Sequence, residues 1–115
     1  MKLIVFSIAM FFWANAFGQF YYANYQKYTA KEGLVCYGYL NCSCKDKAGF
    51  LWLATDNGLY RFDGQNFKAF RYNPNKKNSI PSNNVSFLYQ DKQGRYWISI
   101  PQKGLYIFNP VTEEF

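Results

Sequence analysis

The chain contains an internal repeat, and this feature constrains its fold more than any other. The stretch DKAGFLWLATDNGLYRFDG, which begins at Asp46, returns as DKQGRYWISIPQKGLYIFNP, which begins at Asp91, 45 residues later. Self-similarity with a period of about 40–50 residues is typical of folds built from stacked units, and strand-forming residues at this period indicate the blades of a β-propeller. The sequence therefore predicts repeated small sheets.

The two copies carry the same residue types at equivalent positions, apart from one residue inserted in the second copy. The shared positions are Asp46, Gly49, Trp52, Gly58 and Leu59 in the first copy and Asp91, Gly94, Trp97, Gly104 and Leu105 in the second. We interpret these residues as a structural motif, in which the aspartates form turns and the tryptophans pack between adjacent blades. An exposed ring could also serve as a platform for a sugar, but a position within a strand favours packing.

The residue pattern within one copy predicts four short antiparallel strands. The first strand alternates apolar and polar residues, in LNCSC and in VSFLY. The second, FLWLAT or RYWISI, is nearly continuous in apolar character, so we expect it to be covered on both faces. Asn57 and Gly58 suit the central positions of a type I′ hairpin turn, which need positive φ. LYRFD or LYIFN supplies the third strand, and FKAFRY supplies the fourth.

These strands predict an all-β fold of about two four-stranded antiparallel propeller blades in an incomplete ring. The first blade covers residues 39–72, the loop between blades covers 73–84, and the second, incomplete blade covers 85–115. A closed propeller typically has about 4–8 blades, and a repeat unit cannot bury its faces alone. We therefore expect this chain to be the amino-terminal part of a longer protein whose remaining blades are its partners. Residues 25–28 are expected to supply the strand that closes the ring.

Residues 1–18 follow the plan of a secretory signal peptide. Lys2 gives the positive start, an apolar run follows, and Ala14, Ala16 and Gly18 supply the small residues of two cleavage sites, of which we favour the one after Gly18. The apolar run is shorter than the ~20 residues of a membrane-spanning helix. We therefore expect export to the periplasm, with residues 19–38 connecting the signal peptide to the first blade.

The three cysteines, Cys36, Cys42 and Cys44, cannot all pair within one chain. Cys42 and Cys44 are two residues apart and share a strand face, which disfavours a disulfide between them. Two alternatives stay open: all three are small packing residues, or Cys36 pairs with one of the others. The chain has no histidine, and we predict neither a metal site nor a cofactor.

The net charge of +6 is scattered along the chain. A basic excess attracts nucleic acid, anionic lipid or acidic glycans, but scattered charges fit ordinary solvation, and we predict no nucleic-acid partner for this segment. The only predicted ligand-binding residues are Arg71, Lys76 and Lys77, in or beside the loop between blades, as contacts for an anionic or hydroxyl-rich ligand. No nucleophile with a histidine partner is present, so we predict no catalysis by this segment.

The combined motif resembles the repeat of the two-component regulator propeller family, which reads approximately V-x-x-I-x-x-D-x-x-G-x-L-W-I-G-T-x-x-G-L-x-x-Y-D. The first copy departs from it mainly at Ala54, where the family prefers glycine. In the second copy Ser99 and Ile100 replace the usual Gly-Thr pair. The motif therefore does not predict the conformation of the turn after that strand. The resemblance covers roughly residues 25–115.

This resemblance implies the periplasmic sensor region of a hybrid two-component histidine kinase of the kind found in Bacteroidetes. The parent protein would be anchored in the inner membrane as a homodimer, would respond to oligosaccharides, and would regulate transcription through its downstream kinase by phosphorelay. Two other hypotheses stand beside this one: a structural or protein-interaction repeat module, and a truncated remnant without function.

Overall fold

Two antiparallel sheets make up most of the structure, and each corresponds to one copy of the repeat. The structure is a computed structural model, and it describes residues 25–34 and 38–115. The strands are β1 (Leu40–Lys45), β2 (Leu51–Thr55), β3 (Gly58–Phe62), β4 (Phe67–Phe70), β5 (Phe87–Gln90), β6 (Tyr96–Ile100) and β7 (Gly104–Phe108). The first sheet has the order β1-β2-β3-β4 and the second the order β5-β6-β7. The predicted all-β class, with sheets that fit partial propeller blades, is confirmed.

The hydrophobic core lies between the two sheets, with Trp52 of β2 near its centre. The indole ring is fully buried. Its centroid lies 5.7 Å from the ring of Phe70, 5.2 Å from that of Tyr96 and 5.6 Å from that of Phe108. These separations fall within the range in which aromatic pairs attract one another. Trp52 therefore joins its own sheet to the next one, as the sequence predicts.

The central strands of the two sheets differ in how they are covered. Four consecutive residues of β2, from Trp52 to Thr55, are buried, so this strand is covered on both faces as predicted. In β6, burial alternates along the strand, and Trp97 and Ser99 are only partly covered. The prediction of two covered faces is therefore wrong for β6. The physical reason is that only one face of the second sheet packs against another sheet among the described residues.

The turn between β2 and β3 is not the predicted type I′ turn. Thr55 pairs with Gly58, so Asp56 and Asn57 are the central residues of the turn. Neither of them has a positive φ, whereas Gly58 has a φ of 118°. The Thr55 hydroxyl accepts a hydrogen bond from the backbone N–H of Asn57 at 3.0 Å. This bond stabilises a turn in which asparagine keeps an ordinary φ and the glycine after it takes the unusual one.

In the second sheet the inserted residue lengthens this turn and leaves the strand register unchanged. Ile100 of β6 pairs with Gly104 of β7, and three residues lie between them. Gln102 in this turn has a φ of 64°, and the Lys103 N–H donates to the Ile100 carbonyl at 3.1 Å. The departure from the family motif at Ser99 and Ile100 therefore changes the local turn only.

The segment after β7 repeats the start of β4 in the first sheet. Phe115 stacks on Phe108 with a centroid distance of 4.4 Å, as Phe67 stacks on Phe62 at 4.5 Å. The Asn109 side chain accepts hydrogen bonds from two following backbone N–H groups. Asp63 makes the same arrangement in the first sheet. Phe115 thus occupies the place of Phe67.

The predicted signal peptide, residues 1–18, lies outside the described residues. Residues 25–29 pair with neither sheet, so the predicted ring-closing strand at 25–28 stays a prediction that requires a further sheet. A short 3₁₀ turn, Ala30–Glu32, follows, capped by reciprocal hydrogen bonds between Thr29 and Glu32. In the described part of the chain, no helix has the length and apolar character needed to cross a membrane.

Candidate functional site

The carboxylate of Asp46 accepts hydrogen bonds from both sheets. One oxygen accepts from the backbone N–H of Phe50 at 2.9 Å. The other accepts from the Trp52 indole N–H at 2.7 Å and from the Tyr96 hydroxyl, also at 2.7 Å. Asp46 is buried, and a buried carboxylate is stable only when its oxygens are bonded in this way. The predicted turn aspartate therefore also fixes the tryptophan and joins the sheets.

Burial and hydrogen bonding act in opposite directions on the pKa of Asp46. Burial raises this pKa, whereas the hydrogen bonds from Trp52, Tyr96 and the backbone of Phe50 and Ala48 lower it, and the net result lies below the ordinary value. Burial, together with the hydrogen bond to Asp46 and its negative charge, raises the pKa of Tyr96. At neutral pH the pair is therefore an ionised carboxylate bonded to a neutral phenol.

Asp91 repeats this arrangement in the second sheet, but one of its hydrogen-bond donors is a different residue type. Its carboxylate accepts from the backbone N–H of Arg95 at 2.9 Å and from the Trp97 indole at 2.9 Å. Its third donor is the Arg95 guanidinium, which lies 2.7 Å from the Asp91 carboxylate. At Asp46 the third donor is the Tyr96 hydroxyl. The hydrogen bond from Trp97, assisted by Arg95, holds the pKa of Asp91 well below its ordinary value.

A cleft of about 130 Å³ lies beside the first sheet, where its last strand meets the loop between blades and the residues after β7. Its lining includes Phe70 and Ile80 as apolar groups, and Arg71, Lys76 and Glu113 as charged groups. Sites for drug-sized ligands typically measure about 300–1,000 Å³. The cleft is therefore large enough for one small polar group and too small for a whole oligosaccharide.

The structure brings two of the three predicted ligand residues together. Arg71 and Lys76 both line the cleft, whereas Lys77 is exposed and does not. The Arg71 guanidinium donates to the Tyr60 hydroxyl and lies 5.7 Å from the centre of that ring. The Lys76 ammonium lies 3.5 Å from the backbone carbonyl of Glu113. Arg71 is thus held against the sheet, and Lys76 reaches across the cleft.

Glu113 supplies the negative charge of the cleft, and no pattern in the sequence predicts this role. Its carboxylate forms an ion pair with Lys68 of β4. The hydrogen bond from Lys68, assisted by the charges of Lys68 and Lys76, lowers the pKa of Glu113. The cleft thus combines ammonium and guanidinium donors with an ionised carboxylate acceptor. Such a set can bind hydroxyl groups through the carboxylate and an anionic group through the cations.

Ile80, which lines the cleft, and Tyr96, which joins the two sheets, carry weak sequence signals. Ile80 lies within a polar loop, yet it is fully buried, because the loop folds back over the edge of the core. An isolated isoleucine among Asn, Pro, Ser and Lys is the only signal that could have indicated it. The sequence predicts a strand at Tyr96, but its hydroxyl donates to Asp46, 50 positions away. No local pattern reports such a pair.

Cys42 and Cys44 carry free thiols and are half-buried. They pair across the sheet with Ala54 and Trp52 and pack against the core, so they share a face as predicted. Because both thiols are free, neither takes part in the alternative disulfide with Cys36, and Cys36 itself lies outside the described residues. Among residues 25–34 and 38–115, no group of three or more candidate ligands is arranged to hold a metal ion.

Two matches with known proteins each cover part of this chain. Residues 79–101 match the family model described as two component regulator propeller, and they run from the end of the loop through β5, the Asp91 turn and β6. A curated relative, histidine kinase P4 of Formosa agariphila, is 50% identical over 36 residues. These residues make up 31% of this chain and 3% of the relative, so the match spans a small part of that protein's length.

The matched segment lies within the repeat that the fold shows twice. The matched segment contains the Asp91 turn and Trp97, whose hydrogen bonds recur at Asp46 and Trp52 in the other sheet. The turn and tryptophan arrangement of the matched segment is therefore present twice in the fold. Residues 79–101 are thus similar to the repeat of the two component regulator propeller family.

Proposed function

We propose that this chain is the amino-terminal part of the sensor propeller of a two-component signalling protein. The observation that carries the proposal is the pair of stacked sheets whose second member matches the family model over residues 79–101. The name of the curated relative, a histidine kinase, supports the same class of protein. In this proposal the propeller binds a ligand, and a kinase elsewhere in the parent protein converts binding into phosphoryl transfer that regulates transcription.

The ligand class that we propose is an oligosaccharide, with one polar unit seated in the cleft beside the first sheet. Lys76 and Arg71 supply donors to hydroxyl or carboxylate oxygens, and Glu113 supplies an acceptor for hydroxyl groups. Because the cleft is small, the remaining sugar units would lie on other parts of the propeller. This arrangement suits a ligand that contacts several blades at once.

The proposed location is the periplasm, with the parent protein anchored in the inner membrane as a homodimer. The support is the charged start, apolar run and small residues of segment 1–18. This location would place the propeller where extracellular glycans arrive. Catalysis is assigned to the proposed kinase domain, and the segment described by the structure has a binding role.

The test uses the complete reading frame that contains residues 1–115, expressed in membranes. Incorporation of phosphate from ATP is measured with and without a mixture of acidic and neutral oligosaccharides. We expect a fraction of the mixture to change the rate of autophosphorylation. A reading frame without a kinase domain, or a kinase indifferent to every fraction, would contradict the proposal.

The role of the cleft is tested by a matched pair of substitutions in that protein. Lys76→Ala removes a cation that lines the cleft, whereas Lys77→Ala removes its exposed neighbour. A charge-assisted hydrogen bond contributes about 1.5–3 kcal/mol, and about 1.4 kcal/mol corresponds to tenfold in affinity. We expect Lys76→Ala to weaken oligosaccharide binding at least about tenfold and Lys77→Ala to leave it nearly unchanged. Equal effects would remove the cleft from the proposal.

A further inference from the structure

The turn that follows β7 is longer than its counterpart in the first sheet. Four residues separate Phe62 from Phe67, whereas six separate Phe108 from Phe115. The stacked pairs formed by these rings are equivalent in the two sheets, so the extra residues change only what the turn presents. The two residues before Phe67 are uncharged, and the two before Phe115 are glutamates. The longer turn therefore brings Glu113 to the cleft as a feature of the second copy alone.

The backbone of Glu113 has a left-handed conformation. Its φ is 58°, in a region that residues other than glycine rarely adopt. Two hydrogen bonds to Asn109 hold this conformation: the Glu113 N–H donates to the Asn109 carbonyl at 2.8 Å, and the Asn109 N–H donates to the Glu114 carbonyl at 2.9 Å. Unfavourable backbone conformations cluster at sites that bind ligands. The conformation of Glu113 therefore points to a binding role for its side chain.

Positive charges outnumber negative ones around this side chain. Glu113 is the one carboxylate among the described residues that line the cleft, whereas Arg71 and Lys76 both line it. Lys68 adds a third cation, since it forms the ion pair with Glu113, and its ammonium lies 5.4 Å from the centre of the Phe70 ring at the cleft wall. The cleft is thus a site for an anion, and a carboxylate of the chain itself lies in it.

The ion pair between Lys68 and Glu113 is accessible to a competing anion. The Lys68 side chain is 47% exposed and that of Glu113 is 32% exposed. Ion pairs with this exposure contribute little to stability, because water solvates both charges well. A carboxylate or sulfate oxygen of a ligand accepts from an ammonium group as strongly as a glutamate oxygen does. The protein can therefore exchange one anion for the other at small cost.

We propose that Glu113 occupies the anion site of the cleft in the ligand-free protein, and that the acid group of an acidic sugar replaces it on Lys68 and Lys76. This inference rests on the proposed function, because it concerns the same cleft and narrows the ligand to sugars with a carboxylate or a sulfate ester. The cleft, at about 130 Å³, accommodates such a group. Once displaced, the Glu113 carboxylate accepts from hydroxyl groups of the same sugar.

The exchange makes Glu113 an internal competitor of acidic ligands. A neutral sugar does not replace the carboxylate, because a hydroxyl group brings no charge to balance the lysines. An acidic sugar does, but it must first overcome the interaction between Lys68 and Glu113. Removal of the Glu113 charge should therefore tighten the binding of acidic sugars. A glutamate that only joined the two sheets would have no such effect.

The test measures sugar binding to the complete protein in lipid nanodiscs by saturation-transfer NMR. The probes are D-glucose, D-glucuronate and D-glucose 6-sulfate, which share one ring and differ at carbon 6. We expect at least one acidic probe to bind at least about tenfold more tightly than glucose, because it gains a charge-assisted hydrogen bond. The tighter of the two acidic probes then identifies the group as a carboxylate or a sulfate ester.

The decisive variant is Glu113→Gln, which removes the charge and keeps an acceptor oxygen. We expect it to lower the dissociation constant of the acidic probe at least about threefold and to leave that of glucose unchanged. The matched control is Glu114→Gln, which removes the same charge from the next residue. Glu114 is exposed, accepts from the Asn78 side chain at 3.3 Å and does not line the cleft. This control should change each dissociation constant by less than about 1.5-fold, because salt screens exposed charges.

Three results would each overturn the inference: weaker binding of the acidic probes to Glu113→Gln, equal tightening by the two variants, and acidic probes that bind no better than glucose. A kinase that responds to neutral oligosaccharides alone would also overturn it and would leave the proposed function intact. Tighter binding of an acidic probe to Glu113→Gln, in a protein without a kinase domain, would support the inference and contradict the proposed function.

Discussion

Tyr96 and Asp46 lie 50 residues apart in the chain, and the Tyr96 hydroxyl donates to the Asp46 carboxylate across 2.7 Å. The tyrosine belongs to the second sheet and the aspartate to the first. The same carboxylate oxygen accepts from Trp52, so one buried charge links a turn, a central strand and the neighbouring sheet.

Tyr96→Phe keeps the aromatic ring and its packing, but it should destabilise the protein. The substitution removes a donor to a buried ionised carboxylate, and bonds of this kind contribute about 1.5–3 kcal/mol. We expect the free energy of unfolding in urea to fall by about that amount. The control is Tyr106→Phe, because the Tyr106 hydroxyl donates to an exposed carbonyl at 3.2 Å, and it should cost less than about 0.5 kcal/mol. Similar losses for both would show that the Asp46 bond contributes little.

Stability should fall on acidification. The folded pKa values of Asp46 and Asp91 lie below the ordinary value of 3.8, so the unfolded chain takes up protons at a higher pH than the folded one. The stabilisation is complete above about pH 4–5 and is lost as the pH falls through the lower folded values. Urea unfolding at successive pH values should show this decline. Asp46→Asn should make the decline shallower, and an unchanged slope would contradict the assignment.

Stability should also fall at strongly alkaline pH. Burial and the Asp46 charge raise the pKa of Tyr96 above the ordinary value of 10.0, so the unfolded chain loses this proton first. The contribution is therefore complete below about pH 10 and declines above it. Tyr96→Phe should remove this part of the pH dependence. A phenolate absorbance titration in which all tyrosines ionise near pH 10 without unfolding would contradict the prediction.

Trp52→Ala and Trp97→Ala should have unequal effects, although the two tryptophans are equivalent in the repeat. Trp52 is fully buried between the sheets, and truncating a buried aromatic residue costs about 3–5 kcal/mol. Trp97 lies on the face of the second sheet that points away from the first sheet, and it is only partly covered. Thermal unfolding should therefore show a much larger loss for Trp52→Ala. Equal losses would mean that the face of the second sheet that carries Trp97 is covered in solution.

Gly58→Ala and Gly104→Ala should separate the cost of the backbone conformation from the cost of a steric clash. Both glycines have positive φ, at 118° and 122°. A Cβ at Gly58 would lie 2.9 Å from the carbonyl oxygen of Phe70, whereas a Cβ at Gly104 meets nothing within 4 Å. Each substitution should cost about 1 kcal/mol or more for the backbone, and Gly58→Ala should cost more. Equal losses would show that β4 moves aside freely.

The sequence predicted the features of this fold that depend on local chemistry. Apolar alternation placed Cys42 and Cys44 on one face, and the repeated Asp-x-x-Gly turns and tryptophans recur with the same hydrogen bonds. These features depend on residues a few positions apart, so a pattern can report them. The repeat strengthens these predictions, because the same local arrangement occurs in both copies.

The remaining features depend on contacts between distant segments. The cleft forms only because Glu113 and Phe115 return to the loop after β4, and the burial of Ile80 depends on how that loop folds over the core. The turn at Asn57 was predicted wrongly because the Thr55 hydroxyl supports an ordinary φ at the asparagine. In each case a tertiary or side-chain contact outweighs the local preference.

The two repeats pack face to face through the Asp46–Tyr96 contact, and a double-mutant cycle tests this packing most directly. The free energy of unfolding is measured in urea for the unmodified chain, for Asp46→Asn, for Tyr96→Phe and for the double variant. Residues in direct contact show coupling energies of about 0.5–3 kcal/mol. We predict a coupling of at least about 1 kcal/mol. Two losses that simply add would contradict the packing of the two repeats described here.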